Sequence, residues 1–369
     1  MPIPRPLFPV QGSLPRCGEG VGEPAAARAP RSHDRSEARR SEVKKKILIT
    51  ARTFGKIAKE PLQMFSPEAY ELVWNPYHRP PTEEDYACLA QGVSAMIVGG
   101  EKVPAKVLEG SSLLRVISVH GVGTDNIDLK LATERGIMVC NAPGANTNAV
   151  AELAIGLMLA AARRIPYADR QVKAGKWGQC IGVELAGKVL GIVGLGRIGR
   201  AVARKARALS MRVLAYDIQM DGEFLREEGI EALALDDLLS RSDFVSLHCP
   251  LTPETEGLIE ERRLQMMKPT AYLINLSRGK VVEEAALARA LGQGWIAGAA
   301  TDVYSVEPPV GSPLLSVEGL VTTMHMGAHT YEALAEMGRI TAQNVLDALE
   351  GRRPRFLINP EAWERQGGN

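Results

Sequence analysis

Residues 189–199 read Val-Leu-Gly-Ile-Val-Gly-Leu-Gly-Arg-Ile-Gly, and Asp217 lies eighteen positions beyond the last glycine. A short β-type apolar run thus ends in Gly-x-Gly-x-x-Gly. A helix-like run follows, then a second apolar run, Val213–Tyr216, that closes on the acid. Strand, tight turn, helix and strand in that order form the start of a dinucleotide site. Gly194 permits the turn off the strand. Gly196 lets backbone approach a pyrophosphate, and Gly199 lets helix pack on strand. The helix start, at Arg197 and Ile198, then offers unpaired N–H groups to phosphates. Asp217 should accept hydrogen bonds from the adenosine ribose hydroxyls and repel a 2′-phosphate. No Arg or Lys occupies 218–220, so the expected cofactor is NAD rather than NADP. An acid at a strand end is otherwise an ordinary turn residue, and glycine is common here (36 of 369). The flanking runs carry the reading.

A chain of 369 residues suggests two domains, each with its own core. Hydrophobic content of 45% and charged content of 24% are those of an ordinary globular protein. Net charge is +1, so nothing global points to nucleic acid or an anionic membrane. The longest apolar candidate, Ala149–Ala162, is short for a span and carries Glu152. Five scattered cysteines (17, 88, 140, 180, 249) form no Cys-x-x-Cys pair. Reduced thiols in a cytoplasmic protein, with no metal site, are expected. The first 46 residues are rich in Pro, Gly, Ala and Arg, with ten Lys/Arg against five Asp/Glu. They read as a disordered basic tail of net +5, leaving −4 on the remainder. The tail has no apolar stretch of the kind that opens a secretory signal.

From Lys46 onward β-type runs alternate with helix-type segments. The first set is Ile47–Thr50, Leu72–Trp74, Ala95–Val98, Arg115–Val119 and Ile137–Cys140, with helices near Glu83–Ala90, Pro104–Leu108 and Leu129–Glu134. Asn141-Ala142-Pro143-Gly144 breaks the pattern, and a helix over Ala149–Arg163 follows, with cap candidates at 146–148. A second set comprises Val189–Val193, Arg212–Tyr216, Phe244–Leu247, Ala271–Asn275, Ala297–Thr301 and Leu320–Thr323. Tyr331–Glu350 reads as one long helix that returns to the first domain. The expected fold is α/β: two Rossmann/flavodoxin-like, doubly wound parallel-sheet domains with an active-site cleft between them. The expected boundaries are residues 1–45 for the tail, 46–144 completed by 332–361 for a substrate-binding domain, and 145–331 for an NAD-binding domain.

In open α/β sheets ligands gather beyond the carboxyl ends of the strands. Arg278, Asp302 and His325 each follow a strand of the second set, and Glu307 lies on the loop after Asp302. Reducing a 2-keto acid needs a cation for the carboxylate and ketone, an acid for the developing alkoxide, and a partner that keeps that acid protonated. Arg278, His325 and Glu307 suit these three parts. Each alone has a plainer reading, as a surface turn, a loop histidine or an ordinary Glu-Pro-Pro. Their joint placement carries the inference. His329 competes with His325, which is preferred because it lies nearer the strand end and precedes Gly327. His248, Cys249 and Pro250 read as a wall of the nucleotide cleft, with Thr252 or Thr255 available for hydrogen bonds. Cys249 reads as packing rather than as a nucleophile, since no base is paired with it.

The chain resembles the D-isomer-specific 2-hydroxyacid dehydrogenase family, in particular its D-3-phosphoglycerate-dehydrogenase-like members, over about residues 46–361. The loop 121–128 (Gly-Val-Gly-Thr-Asp-Asn-Ile-Asp), Asn141–Gly144 with Ala149–Glu152, Gly194–Gly199, His248–Thr252, Asn275–Gly279, Asp302–Pro309 and His325–Thr330 carry the resemblance in order. It implies a triad of Arg278, Glu307 and His325, with Asp302 and Gly327 at the nicotinamide end. It also implies Thr147 near the cofactor, and Leu276 and Ser277 among the cofactor contacts. Main-chain amides near Val98, Gly99, Val122 and Gly123 are implied to take the substrate carboxylate, and a homodimer is implied as the assembly. Two departures stand out. Met324 replaces a proline common before the catalytic histidine. Val98 stands where phosphoglycerate dehydrogenases place a phosphate-binding arginine, which counts against a phosphorylated substrate. The chain ends soon after Pro360, which implies no appended regulatory domain. The substrates implied are small 2-hydroxy or 2-keto acids, among them hydroxypyruvate and glyoxylate. A non-catalytic NADH-sensing protein, like the corepressors that resemble this family, is the alternative.

Overall fold

A computed structural model describes residues 44–77 and 79–367. Most of the basic tail, with Cys17, therefore lies outside the described residues. Lys45 and Lys46, counted above with or beside that tail, belong instead to the first strand.

The first unit alternates strand and helix: β1 (Lys45–Ile49), α1 (Glu60–Gln63), β2 (Tyr70–Trp74), α2 (Glu83–Leu89), β3 (Val93–Val98), α3 (Ala105–Gly110), β4 (Val116–Val119), α4 (Leu129–Glu134) and β5 (Met138–Cys140). All its pairings are parallel, in the order β2-β1-β3-β4-β5. That order is the flavodoxin-like winding. Both faces are covered, so successive side chains of one strand enter different cores. Ile47 and Ile49 join one cluster and Leu48 the other. Each such burial stabilises by roughly 1.5–3 kcal/mol.

Helix α5 (Thr147–Ala162) leads out of this unit, followed by α6 (Ile165–Lys173). The second unit holds β6 (Val189–Val193), α7 (Arg197–Ala208), β7 (Arg212–Tyr216), α8 (Gly222–Glu227), β8 (Glu231–Ala232), α9 (Leu235–Arg241), β9 (Phe244–Leu247), α10 (Glu261–Met266), β10 (Tyr272–Asn275), α11 (Glu284–Gly292), β11 (Gly298–Thr301) and β12 (Leu320–Thr322). Its sheet runs β12-β11-β10-β9-β6-β7-β8, all parallel. The sheet has seven strands, not six. The extra one, β8, is a two-residue Glu-Ala edge segment with no apolar run to announce it.

Strand order reverses between β6 and β9, which opens a crevice at their carboxyl ends. Helix α5 packs on this sheet through Val150, Ala154, Leu157 and Met158. Its start lacks the expected side-chain cap: Asn146 precedes it without a capping bond. Helices α12 (Tyr331–Leu349) and α13 (Pro360–Arg365) close the chain. Ala342, Val345 and Leu346 of α12 join the core of the first sheet. Asn344 Nδ2 donates to Asn141 O at 3.0 Å, and Asn359 Oδ1 accepts from Val139 N at 2.7 Å. The end of the chain thereby completes the unit that its beginning started.

Candidate active site

The glycines at the end of β6 meet three different demands. Gly194 has φ +96°, and a Cβ there would stand 2.6 Å from Cys249 N. Gly199 is closed as well, because a Cβ would overlap Gly194 O. At Gly196 a Cβ would meet nothing within 4 Å, so the N-terminus of α7 opens onto free space. Gly196 and Arg197 are exposed and Ile198 half-buried at this opening. Asp217 leaves β7 beside the same turn. Its Oδ2 accepts from Leu195 N at 2.6 Å and its Oδ1 from Gln219 N at 3.0 Å.

The opposite wall follows β9. His248 N donates to Val193 O at 2.7 Å, which ties the two strand ends together. His248 Nε2 lies 2.8 Å from Ser246 Oγ, and burial pushes the imidazole down to about 4. Burial pushes the Cys249 thiol up to about 11, so it is protonated at neutral pH and packs, as expected. Pro250 O accepts from Thr255 Oγ1 at 2.7 Å, and the same Oγ1 accepts from Thr252 N. Thr255 therefore shapes the wall instead of pointing a free hydroxyl from it. Thr147 sits half-buried at the start of α5, near the turn at Gly144, where a Cβ would lie 3.9 Å from Arg197 Cδ.

Beyond β10 the chain turns sharply. Leu276 and Ser277 are buried, and Ser277 N and Oγ both donate to Asn275 Oδ1. Their side chains face inward, which leaves their main chain as the part that could meet a cofactor. Arg278 emerges half-buried, and Gly279 follows because a Cβ there would overlap the Tyr304 carbonyl group. That close packing brings Arg278 beside the loop carrying Glu307.

Glu307 Oε2 lies 2.7 Å from His325 Nδ1, and Glu307 Oε1 accepts from Tyr304 N at 3.1 Å. A carboxylate only accepts, so Nδ1 carries the proton, leaving Nε2 to give or take one. The hydrogen bond to Glu307 raises the His325 pKa against the opposing effect of burial. Burial raises that of Glu307, but the bond and charge of His325 outweigh it and hold the carboxyl below its ordinary value. His325 also has φ +52°, left-handed backbone that a histidine rarely adopts.

Asp302 maintains that conformation. It is 1% exposed. Its carbonyl accepts from His325 N; its Oδ1 accepts from Thr323 Oγ1 at 2.6 Å and Met326 N at 2.8 Å, and its Oδ2 from Gly327 N at 2.8 Å. The Asp302 carboxylate is thus bonded into the loop that carries His325. Buried Gly327 is tied down by the same bond. His329 makes no ion pair with Glu307. Burial, then the charge of His325, lower its pKa, which separates the two histidines.

Across the gap, Val98 is fully buried and its carbonyl accepts from His120 N, so its side chain is not open to a ligand. Gly99 N instead faces the carboxylate of Glu101, which accepts from it at 3.0 and 3.1 Å and also bonds Thr50 Oγ1. Val122 O accepts from Asn141 Nδ2 at 2.7 Å. A Cβ on Gly123 would overlap Arg278 Nη2, so the loop after β4 touches the arginine after β10. Asp125 of the same loop binds Arg278 Nη2 at 2.9 Å. Its role was not read from the sequence, although it stands inside the Gly121–Asp128 motif.

Residues 155–327 match the family model "D-isomer specific 2-hydroxyacid dehydrogenase, NAD binding domain". A glyoxylate reductase of Korarchaeum cryptofilum is 46% identical over 268 residues, 71% of this chain and 81% of that relative. The chain belongs to the D-isomer specific 2-hydroxyacid dehydrogenase family. A D-3-phosphoglycerate dehydrogenase of Archaeoglobus fulgidus is 46% identical over 261 residues, 70% of this chain but 50% of that relative. The solved glyoxylate reductase of Paecilomyes thermophila superposes with a TM-score of 0.76 at 29% identity, over 86% of this chain and 99% of that one.

The NAD-binding domain of a 2-hydroxyacid dehydrogenase must cradle a pyrophosphate and hold a ribose. The open backbone at Gly196, the N-terminus of α7 and Asp217 at the end of β7 fit that demand. Among the described residues no helix is long and apolar enough to cross a membrane.

Proposed function

We propose that this dehydrogenase interconverts a small, unphosphorylated 2-keto acid and its D-2-hydroxy acid, with NAD(H). The observation that carries the reading is the bonded Glu307–His325 pair on the same strand-end face as Arg278. NAD(H) supplies or accepts the hydride when bound. Gly194, Gly196, Arg197, Ile198 and Gly199 would hold its pyrophosphate, Asp217 its ribose, and Thr147 and the His248–Pro250 wall its flanks. Arg278 grips the acid carboxylate and polarises the ketone, together with the amide of Gly123. His325 Nε2 gives a proton to the developing alkoxide in reduction and takes it back in oxidation. Glu307 stabilises the charged imidazole, and Asp302 holds the loop beneath it. Residues 46–144 with 332–361 would bind the substrate, and 145–331 the cofactor.

A small uncharged tail on the substrate is favoured by the end of β3. Val98 brings no cation, and Glu101 places a carboxylate beside Gly99 N, where a phosphate would meet repulsion. Glyoxylate and hydroxypyruvate suit that space better than phosphohydroxypyruvate. A panel of these acids with NADH, followed at the nicotinamide absorbance, tests the reading. NADH that binds but is oxidised with none of them would favour an NADH-sensing protein instead. Trp177 and Ile181, 92% and 80% exposed on the segment after α6, support a homodimer. Cys140, Cys180 and Cys249, which form no disulfide among the described residues, support a cytoplasmic location.

A further inference from the structure

A guanidinium has five N–H groups on three edges, and their partners decide where the arginine can bind a ligand. In Arg278 the edge formed by Nε and Nη2 is filled by one residue. Nε donates to Asp125 Oδ1 at 3.0 Å and to Oδ2 at 3.2 Å, and Nη2 donates to Oδ1 at 2.9 Å. Nη1 donates to the carbonyl of Ser277 at 2.8 Å. One N–H on Nη1 and one on Nη2, the pair that can form the terminal fork, are left for another acceptor. That fork matches the two oxygens of a carboxylate.

Asp125 and Arg278 are 153 residues apart and belong to different sheets. Asp125 follows β4 in the first unit, and Arg278 follows β10 in the second. The bond therefore spans the gap in which the substrate is to sit. Gly123, two residues before Asp125, has no side chain to keep Nη2 from the loop. Asp125 stays ionised here: burial opposes its charge, but the bond and charge of Arg278 prevail and lower its pKa.

We propose that Asp125 is a positioning residue for substrate binding: it holds the side edge of Arg278 so that the terminal fork faces the carboxylate of the 2-keto acid. The proposal rests on the reading of Arg278 as the acid-binding cation. Without the Asp125 carboxylate the bond to the Ser277 carbonyl is left as the main restraint, and the plane of the guanidinium is less tightly fixed. The substrate must then order the side chain itself, which weakens its binding. Among the described residues Asp125 makes no hydrogen bond to the cofactor cradle or to the Glu307–His325 pair, so the loss should fall mainly on the acid.

The test uses the full chain with NADH, glyoxylate as substrate and oxalate as an unreactive dicarboxylate probe. Asp125→Asn and Asp125→Ala are each expected to raise KM for glyoxylate, and Kd for oxalate on the NADH complex, about tenfold or more. Kd for NADH alone, read by quenching of protein fluorescence, should stay within about twofold, a change of about 0.4 kcal/mol. Asp125→Glu should recover part of the loss. Unchanged glyoxylate KM and oxalate Kd in an active variant would overturn the role. Tighter oxalate binding would overturn it too, because Asp125 would then be a competitor of the substrate. NADH affinity lost in parallel in all three variants would assign Asp125 to the fold and also overturn it. If the unaltered protein binds NADH but neither turns over nor binds oxalate, the reading of Arg278 fails first and this role falls with it.

Discussion

Glu307 Oε2 stands 2.7 Å from His325 Nδ1, on a histidine whose own backbone is left-handed at φ +52°. The contact sets both the tautomer of the imidazole and the pH range over which it is charged. The pKa of His325 lies above its ordinary value, first because of the hydrogen bond to Glu307 and despite burial. Ketone reduction needs the protonated ring. Its kcat/KM should therefore be flat at low pH and fall as pH rises through the raised value, while oxidation rises over the same window. The stability contributed by the pair has the same sign for the histidine: present below the ordinary value, lost as pH rises through the raised one. Glu307→Gln should move the inflection of the reduction profile down by about 1–3 units. His325→Gln should lower kcat by about 10²–10⁴ while NADH binding survives. A pH–rate profile that does not move in Glu307→Gln would remove Glu307 from this role.

Gly199→Ala puts a methyl where the Gly194 carbonyl already sits. The neighbour is backbone in a turn and cannot swing away. The substitution should cost about 1–3 kcal/mol and open the turn that shapes the phosphate site. Thermal unfolding and an NADH titration should both register it, with a lower Tm and weaker binding. Normal NADH affinity in a protein of normal Tm would show that the strand–helix approach tolerates the methyl.

What could be read from the chain alone depended on how local each signal was. The spans Val189–Val193, Arg212–Tyr216 and Phe244–Leu247 match the observed strands residue for residue, because an apolar run buried on both faces writes itself into sequence. The edge strand β8 has only Glu231 and Ala232 and takes its geometry from its neighbour β7, so no run marks it. Helix α6 begins right after α5, following Arg164 in left-handed backbone, and none of its residues is buried. Its large apolar side chains, Ile165, Tyr167 and Val172, are few and exposed, so no buried face marks it. Arg278, Glu307 and His325 were visible because topology alone places strand ends together. The inward turn of Ser277 was not visible, since it is set by Asn275 Oδ1, an acceptor whose direction depends on the folded loop. The Asp125–Arg278 bond was hidden for another reason. Its partners belong to two separately folded sheets, and no pattern along the chain carries the orientation of one unit on the other.

Asp302→Asn tests the loop beneath the histidine. The carboxylate accepts three hydrogen bonds, from Thr323 Oγ1, Met326 N and Gly327 N. An amide turns one acceptor into a donor and sets it against a backbone N–H. Loss of a hydrogen bond to a charged group costs about 1.5–3 kcal/mol. The released loop also loses what keeps His325 at positive φ. The expected result is a lower Tm and a kcat reduced by about 10² or more, with NADH Kd changed less than kcat. Equal losses in kcat and in NADH affinity would instead put the carboxylate at the cofactor.

Asp217→Ala tests cofactor choice. One carboxylate oxygen accepts from Leu195 N in the glycine turn and the other from Gln219 N. The negative charge thus stands at the end of β7, where a 2′-phosphate would be repelled. Its removal should shift the ratio of kcat/KM for NADPH over NADH upward by about tenfold, ~1.4 kcal/mol, mainly through weaker NADH binding. An unchanged ratio would leave the acid with only its turn-forming bonds.

The segment after α6 predicts the assembly. It is tied to its own chain at the far end, where Val183 N donates to Ala162 O at 2.9 Å, but Trp177 and Ile181 project into solvent. Full burial of such a side chain stabilises by about 1.5–3 kcal/mol, and a second copy of the chain presents the same segment in reverse, as two-fold symmetry requires. Light scattering at micromolar concentration should give twice the chain mass. Trp177→Asp should give the single mass, since the charge would have to be desolvated in the contact. The proposed catalytic groups Arg278, Glu307 and His325 are brought near one another within one chain. The monomeric variant should therefore still bind NADH and retain measurable turnover. A single mass for the unaltered protein would sink the dimer.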